Sequence, residues 1–219
     1  MRIVLAVLMA CLFAGGVAMA QKVENADDLE LPRTDCVTDQ YAEFSGPGGG
    51  IPDGDPSGVA FGQVPTPPGE TIEDVILSVG IEHTWIGDLR LWLLYDVECD
   101  GLADYIGEVL CRHSLVDCPM DDCCGCSGDL SGAYTFDDTA PSIEDGCPTT
   151  FEPGCYGPDY DSGGLDVFDG LATGGCWMLY AADGATYDIG TVTGFTVYVL
   201  YESTPVDETT WGLVKALYR

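Results

Sequence analysis

This 219-residue chain contains only two histidines. One of them, His83, stands in "IEHTWIGDLRLWLLY", five residues before Asp88. A carboxylate that orients an imidazole can make it a general base for a nucleophile, so the pair raises the question of hydrolysis. The local pattern answers otherwise. His83 ends one alternating stretch, "TIEDVILSVGIEH", and Asp88 opens the next, "DLRLWLLYD". Trp85 and Gly87 between them read as a packed corner. His83, Trp85, Gly87 and Asp88 are therefore assigned to structure, and no catalytic residue is expected. His113 sits in a cysteine-dense stretch without a partner motif and reads as a surface residue.

Carboxylates offer different chemistry. In "DVECDGLAD", Asp96, Glu98, Asp100 and Asp104 fall at positions 1, 3, 5 and 9 of an EF-hand-like loop, with Gly101 at the turn position. Hard oxygen donors at alternate positions around a glycine suit Ca²⁺, although Gly107 stands where the closing glutamate belongs. "DGDPSG" repeats half of that pattern with Asp53 and Asp55, and "FDD" supplies Asp137 and Asp138. Folding is expected to bring Asp137 and Asp138 towards the first pair to complete a shell. The plainer reading of every such loop is an acidic turn, in which Asp accepts from nearby backbone N–H groups.

The cysteines are Cys11, Cys36, Cys99, Cys111, Cys118, Cys123, Cys124, Cys126, Cys147, Cys155 and Cys176. Cys123 and Cys126 have a zinc-ligand spacing, but the second pair of a closed site is missing. The opening "MRIVLAVLMACLFAGGVAMA" is a basic residue, an apolar run and a small-x-small end, the form of a secretory leader cleaved after Ala20. Its removal takes Cys11 and leaves ten cysteines, an even number that reads as disulfides in an exported chain. Their pairing stays open.

These groups must be held by something, and the patterning says strands. Val75, Leu77, Val79 and Ile81 alternate onto one face, as do Leu89, Leu91, Leu93 and Tyr95, and Phe195, Val197, Val199 and Tyr201. Short alternating runs divided by Gly, Pro and Asp clusters predict an all-β jelly-roll-type sandwich. Residues 21–50 read as an N-terminal linker and 51–202 as the sandwich. Residues 111–155 read as a cysteine-rich insert of stapled loops. In 203–219, Trp211, Val214 and Leu217 sit at helical spacing, and the tail is a candidate sorting or attachment segment. Asp+Glu outnumber Lys+Arg by 37 to 7, for a net charge of −30. Such a surface repels nucleic acid and anionic membranes and attracts cations. Beyond the leader, no apolar run reaches membrane length.

Four blocks in order, "IPDGDPSGVAF", "TIEDVILSVGIEHTWIGDLRLWL", "YTFDDTAPSI" and "LDVFDGLATGGCWMLYAADGATYDIGTVTGFTVYV", resemble the P domain, or P/Homo B domain. That domain follows the subtilisin-like catalytic domain of proprotein convertases. The resemblance covers roughly residues 51–202 and implies a jelly-roll sandwich that stabilises a neighbouring protease without being catalytic. It places His83 and Asp88 where the family has no catalytic residue. The cysteine-rich insert departs from the family pattern. So does the lack of "GTSxAxP" and "HGT" motifs, which means the family's protease activity is not implied for this chain.

The expectation is a secreted or surface-attached, non-enzymatic module for binding, adhesion or surface structure, stabilised by disulfides and Ca²⁺. Its partner would be a protein or carbohydrate at the cell surface, or further copies of itself, and not nucleic acid. The alternative is an accessory P domain that serves an exported subtilisin-like protease in trans.

Overall fold

The computed structural model describes residues 36–37, 40–110, 126–143, 149–158 and 164–202. The expected leader 1–20, the tail 203–219, His113, Cys111, Cys118, Cys123, Cys124 and Cys147 lie outside them. No helix among the described residues is long and apolar enough to cross a membrane.

The described residues form two packed, almost wholly antiparallel sheets. The strands are β1 (Ala42–Ile51), β2 (Val59–Pro65), β3 (Ile72–His83), β4 (Leu89–Asp96), β5 (Tyr105–Leu110), β6 (Asp129–Phe136), β7 (Thr150–Phe151), β8 (Cys155–Tyr156), β9 (Cys176–Asp183) and β10 (Gly190–Tyr201). The first sheet runs β1-β10-β3-β6, with the short β7 and β8 both paired to β6, and the second runs β2-β9-β4-β5. Among the eight long strands, the first pairs with the last and the second with the last but one. That is the winding of a jelly roll, as the alternation predicts.

The core follows from residue parity. Side chains point alternately to opposite faces of a strand. Leu77, Val79 and Ile81 of β3 therefore meet Leu89, Leu91, Leu93 and Tyr95 of β4 across the inter-sheet space, all at most 1% exposed. Trp177 fills the centre, with Tyr95 tilted against it at 4.4 Å and Phe168 edge-on at 4.9 Å between centroids. The Tyr95 hydroxyl donates to Ala172 O and accepts from Gly175 N, which pins the loop ahead of β9.

Two parts of the sequence reading are corrected. "AEFSGPGGGI" is β1, paired along its length with β10, so the sandwich begins at Ala42 and not at residue 51. β1 carries few large side chains; Gly46 and Gly49 leave the room that the Phe195 and Phe61 rings occupy. Within 111–155, "DLSGAYTF" is no loop but β6, hydrogen-bonded to β3 from Leu130 to Phe136. Its Leu130, Tyr134 and Phe136 are buried at 2% exposure or less.

Two disulfides staple the sandwich. Cys99–Cys176 joins the loop after β4 to the start of β9, with 2.03 Å between sulfurs. Cys36–Cys155 ties the residue six places ahead of β1 to the far side of the same sheet. Cys126 is buried and disulfide-bonded as well. This much cross-linking indicates an oxidising environment.

Candidate functional site

His83 closes β3 with its ring turned inward, 2% exposed. Its carboxylate neighbour is Asp183, one hundred residues along, and not Asp88. His83 Nε2 lies 3.6 Å from Asp183 Oδ2, and neither side chain is solvent-exposed. His83 Nδ1 accepts from the Trp85 backbone N–H at 3.1 Å. A nitrogen that accepts carries no proton, so the neutral ring bears its proton on Nε2, towards Asp183. A general base needs the opposite arrangement: Nδ1–H on the carboxylate and a bare Nε2 facing a nucleophile. This imidazole has no free nitrogen for that task. Metal ligation through Nε2 is closed for the same reason.

Asp183 ends β9 opposite Leu89. Burial pushes its carboxyl pKa up, against the Ala185 N–H and the His83 ring, and the charges of Asp53 and Asp188 push the same way. Its Oδ1 accepts from Ala185 N at 3.0 Å. The corner is a single 3-10 turn, Ile86–Asp88. Gly87 and Ile86 are buried there, whereas Trp85 is 40% exposed, so Ile86 is the packed side chain and Trp85 faces outward. Asp88 O receives Gly184 N, which joins the two loops at this end.

The acidic loops separate by register. Ile51, Gly190, His83 and Leu130 are paired across one end of the first sheet. Asp53 and Asp55 follow at that end. Asp53 Oδ1 accepts from Tyr187 N, and Asp55 Oδ1 from Ser57 N, both at 2.9 Å. Asp137 and Asp138 follow Phe136, about 20 Å along β6 at roughly 3.3 Å per residue. The two pairs sit at opposite ends of the sandwich and share no shell, contrary to the sequence expectation.

Asp137 closes its own turn, with Oδ1 accepting from Thr139 N and Thr139 Oγ1. Asp138 Oδ2 accepts from Leu165 N at 2.8 Å and Asp166 N at 2.7 Å. Burial raises its carboxyl pKa to about 6; these N–H bonds oppose the rise and the charge of Asp166 adds to it. Asp169 rises to about 6 by burial and by the charges of Asp166, Asp74 and Glu73. Asp74 also accepts from the Tyr41 hydroxyl at 2.5 Å. Cys36 and Cys155 come together with Asp137, but their sulfurs are bonded to each other and offer no thiolate.

The Asp96 loop closes on its own carboxylates. Asp96 is fully buried; its Oδ1 accepts from Glu98 N and its Oδ2 from Gly101 N at 2.6 Å. Burial disfavours its charge, yet N–H bonds from Gly101, Asp100, Glu98 and Cys99 outweigh that and hold its pKa below the usual carboxylate range. Asp104 Oδ2 accepts from Val97 N and Asp100 Oδ1 from Leu102 N. Cys99, at a left-handed φ of 55°, turns its sulfur to Cys176. Backbone N–H dipoles thus offset the buried charge of Asp96 from within its own turn.

Sequence reasoning missed Asp183, Asp166 and Asp169. Asp166 carried a faint signal, an acidic residue at the start of a 3-10 turn. Asp183 carried none, because its partner is fixed only when the two sheets pack.

No family model matches the chain, and no curated protein matches it. Among solved structures it is similar to the serine protease of Aeromonas sobria in complex with its chaperone, at 13% identity and a TM-score of 0.40, over 74% of this chain and 28% of that one. A second structure of the A. sobria serine protease gives 12% identity and a TM-score of 0.37, over 74% and 27%. The chain thus spans little more than a quarter of the length of those it resembles.

Proposed function

We propose that the chain is a non-catalytic β-sandwich module of the P-domain kind, working outside the cell or at its surface by binding, adhesion or structural support. The observation that carries this reading is the state of His83. It is the one histidine among the described residues, buried, with Nδ1 occupied by a backbone N–H and Nε2 facing a buried carboxylate. The jelly-roll winding and the disulfides support a rigid scaffold on which rim loops carry the function.

Calcium belongs to the same proposal as a diffusely held counter-ion for the acidic surface, Asp138, Asp166 and Asp169 included, since these three do not gather their oxygens about one point. No Lys or Arg stands beside them among the described residues, and burial first, with the charge of Asp166 adding to it, raises the pKa of Asp138 and Asp169.

The test is an assay of the purified, oxidised chain from residue 21 onward against peptide, ester and glycoside substrates. No turnover above buffer is expected. Turnover abolished in a His83→Ala variant that retains its near-UV circular dichroism would overturn the reading.

A further inference from the structure

We propose that the cleft of about 400 Å³ between the rim ends of β3, β6 and β10 receives the guanidinium or ammonium group of a basic side chain from a polypeptide partner. This rests on the binding-module reading and names the chemistry that such a module would recognise.

Glu82 and Asp129 both line the cleft, together with Thr84, Ser131 and Thr191; the Thr84 hydroxyl donates to Asp188 Oδ1. Gly190 forms part of its floor and lets the His83 ring pack directly beneath; a Cβ there would come within 2.3 Å of His83 Cδ2. His83 lines the cleft from beneath, 2% exposed, with its Nε2 turned to Asp183.

The lining selects against other ligands. Anions meet two carboxylates. Sugars stack on aromatic ring faces, and the cleft is lined by none. A metal ion needs three or more donors gathered about one point. Among the described residues the only such group is Cys36, Asp137 and Cys155, at the opposite end. Dispersed acceptors suit instead the spread donors of a guanidinium or an ammonium on a flexible stem. The chain offers no competitor among its described residues. Arg90 is the only Lys or Arg there, and it lies over the Trp92 ring on the other sheet, 4.8 Å from its centroid.

The experiment is a ¹⁵N-resolved titration of the oxidised chain with Nα-acetyl-arginine amide and with its citrulline analogue, at physiological ionic strength so that diffuse attraction is screened. Saturable shifts centred on Glu82, Ser131 and Thr191 are expected for arginine and not for citrulline. The pair Glu82→Gln and Asp129→Asn should weaken binding about tenfold, as loss of charge-assisted hydrogen bonds does. The pair Asp100→Asn and Asp104→Asn, at the far end, should leave it unchanged.

Equal binding of citrulline, equal loss in both pairs, or shifts that avoid the cleft would overturn the proposal. The hydrolase assay on the same samples separates that failure from failure of the module reading: an inert cleft with no turnover refutes the cleft alone.

Discussion

His83 Nε2 stands 3.6 Å from Asp183 Oδ2 across the space between the two sheets, with both side chains closed to solvent. The pair joins the end of β3 to the end of β9 and fixes the rim where the 83–88 corner meets the loop after Asp183. The histidine that the sequence places at a structural corner thus sits between the ends of two strands from different sheets.

Breaking the tie on one side is expected to cost more than replacing it. Either His83→Ala or Asp183→Ala strands a polar group in the interior, at about 2–4 kcal/mol by urea denaturation. The double change to leucine should cost clearly less than the sum of the two single changes. A strictly additive double-mutant cycle would show that the two groups do not interact.

Stability should rise as the pH is lowered from 7 towards 5. Asp138 and Asp169 have folded pKa values of about 6, above the ordinary aspartate value of 3.8. The native state therefore binds more protons than the unfolded one between those values, and stability is lost as pH rises through the folded pKa. With allowance for solvent screening of these partly exposed groups, the gain is about 1 kcal/mol, or about 2–4 °C in Tm for a domain of this size. Asp138→Asn should flatten the dependence. Below the ordinary carboxylate range the trend reverses, because the lowered pKa of Asp96 makes its contribution one that acid removes. A Tm that falls steadily from pH 7 to 5 would contradict the assignment.

Calcium should act on the same groups. If it neutralises Asp138, Asp166 and Asp169, thermal unfolding with calcium against chelator gives a higher midpoint at pH 7 and a smaller difference at pH 5, where protons already do the work. Asp138→Asn should reduce the shift, and Asp53→Asn, at the other end, should leave it intact. No shift at pH 7 would return these loops to plain turns.

The Cys99–Cys176 bond encloses a separation of 77 residues. On the loop-entropy account its removal costs about 4 kcal/mol, with measured losses often nearer 2–4. Cys99→Ala with Cys176→Ala should also loosen the Asp96 turn, read as faster amide exchange at Gly101 than at Val79. Equal protection of both amides after the change would show that the turn holds itself.

What the sequence displays and what it hides differ in kind. β3 and β4 were legible because large apolar side chains alternate in them, and all of those face the core. β1 was not, since its glycines make space for Phe195 and Phe61, and a pattern search sees turn residues. β6 was obscured by the cysteines around it, although Leu130, Tyr134 and Phe136 do alternate. The acidic residues were visible one by one, yet their grouping depends on strand register. Register sends Asp53 and Asp138 to opposite ends and brings Asp183 to His83, and no local motif encodes that.

The two described disulfides interleave along the chain, 36 with 155 and 99 with 176. A chain threaded into an oxidising compartment from its amino end presents Cys36 and then Cys99, and neither is the other's partner. Cysteines oxidised in order of arrival would be joined wrongly, and the native bonds would have to come by thiol–disulfide exchange once the sheets align their true partners. Maturation of this protein is therefore expected to depend on a disulfide isomerase, and not on an oxidase alone.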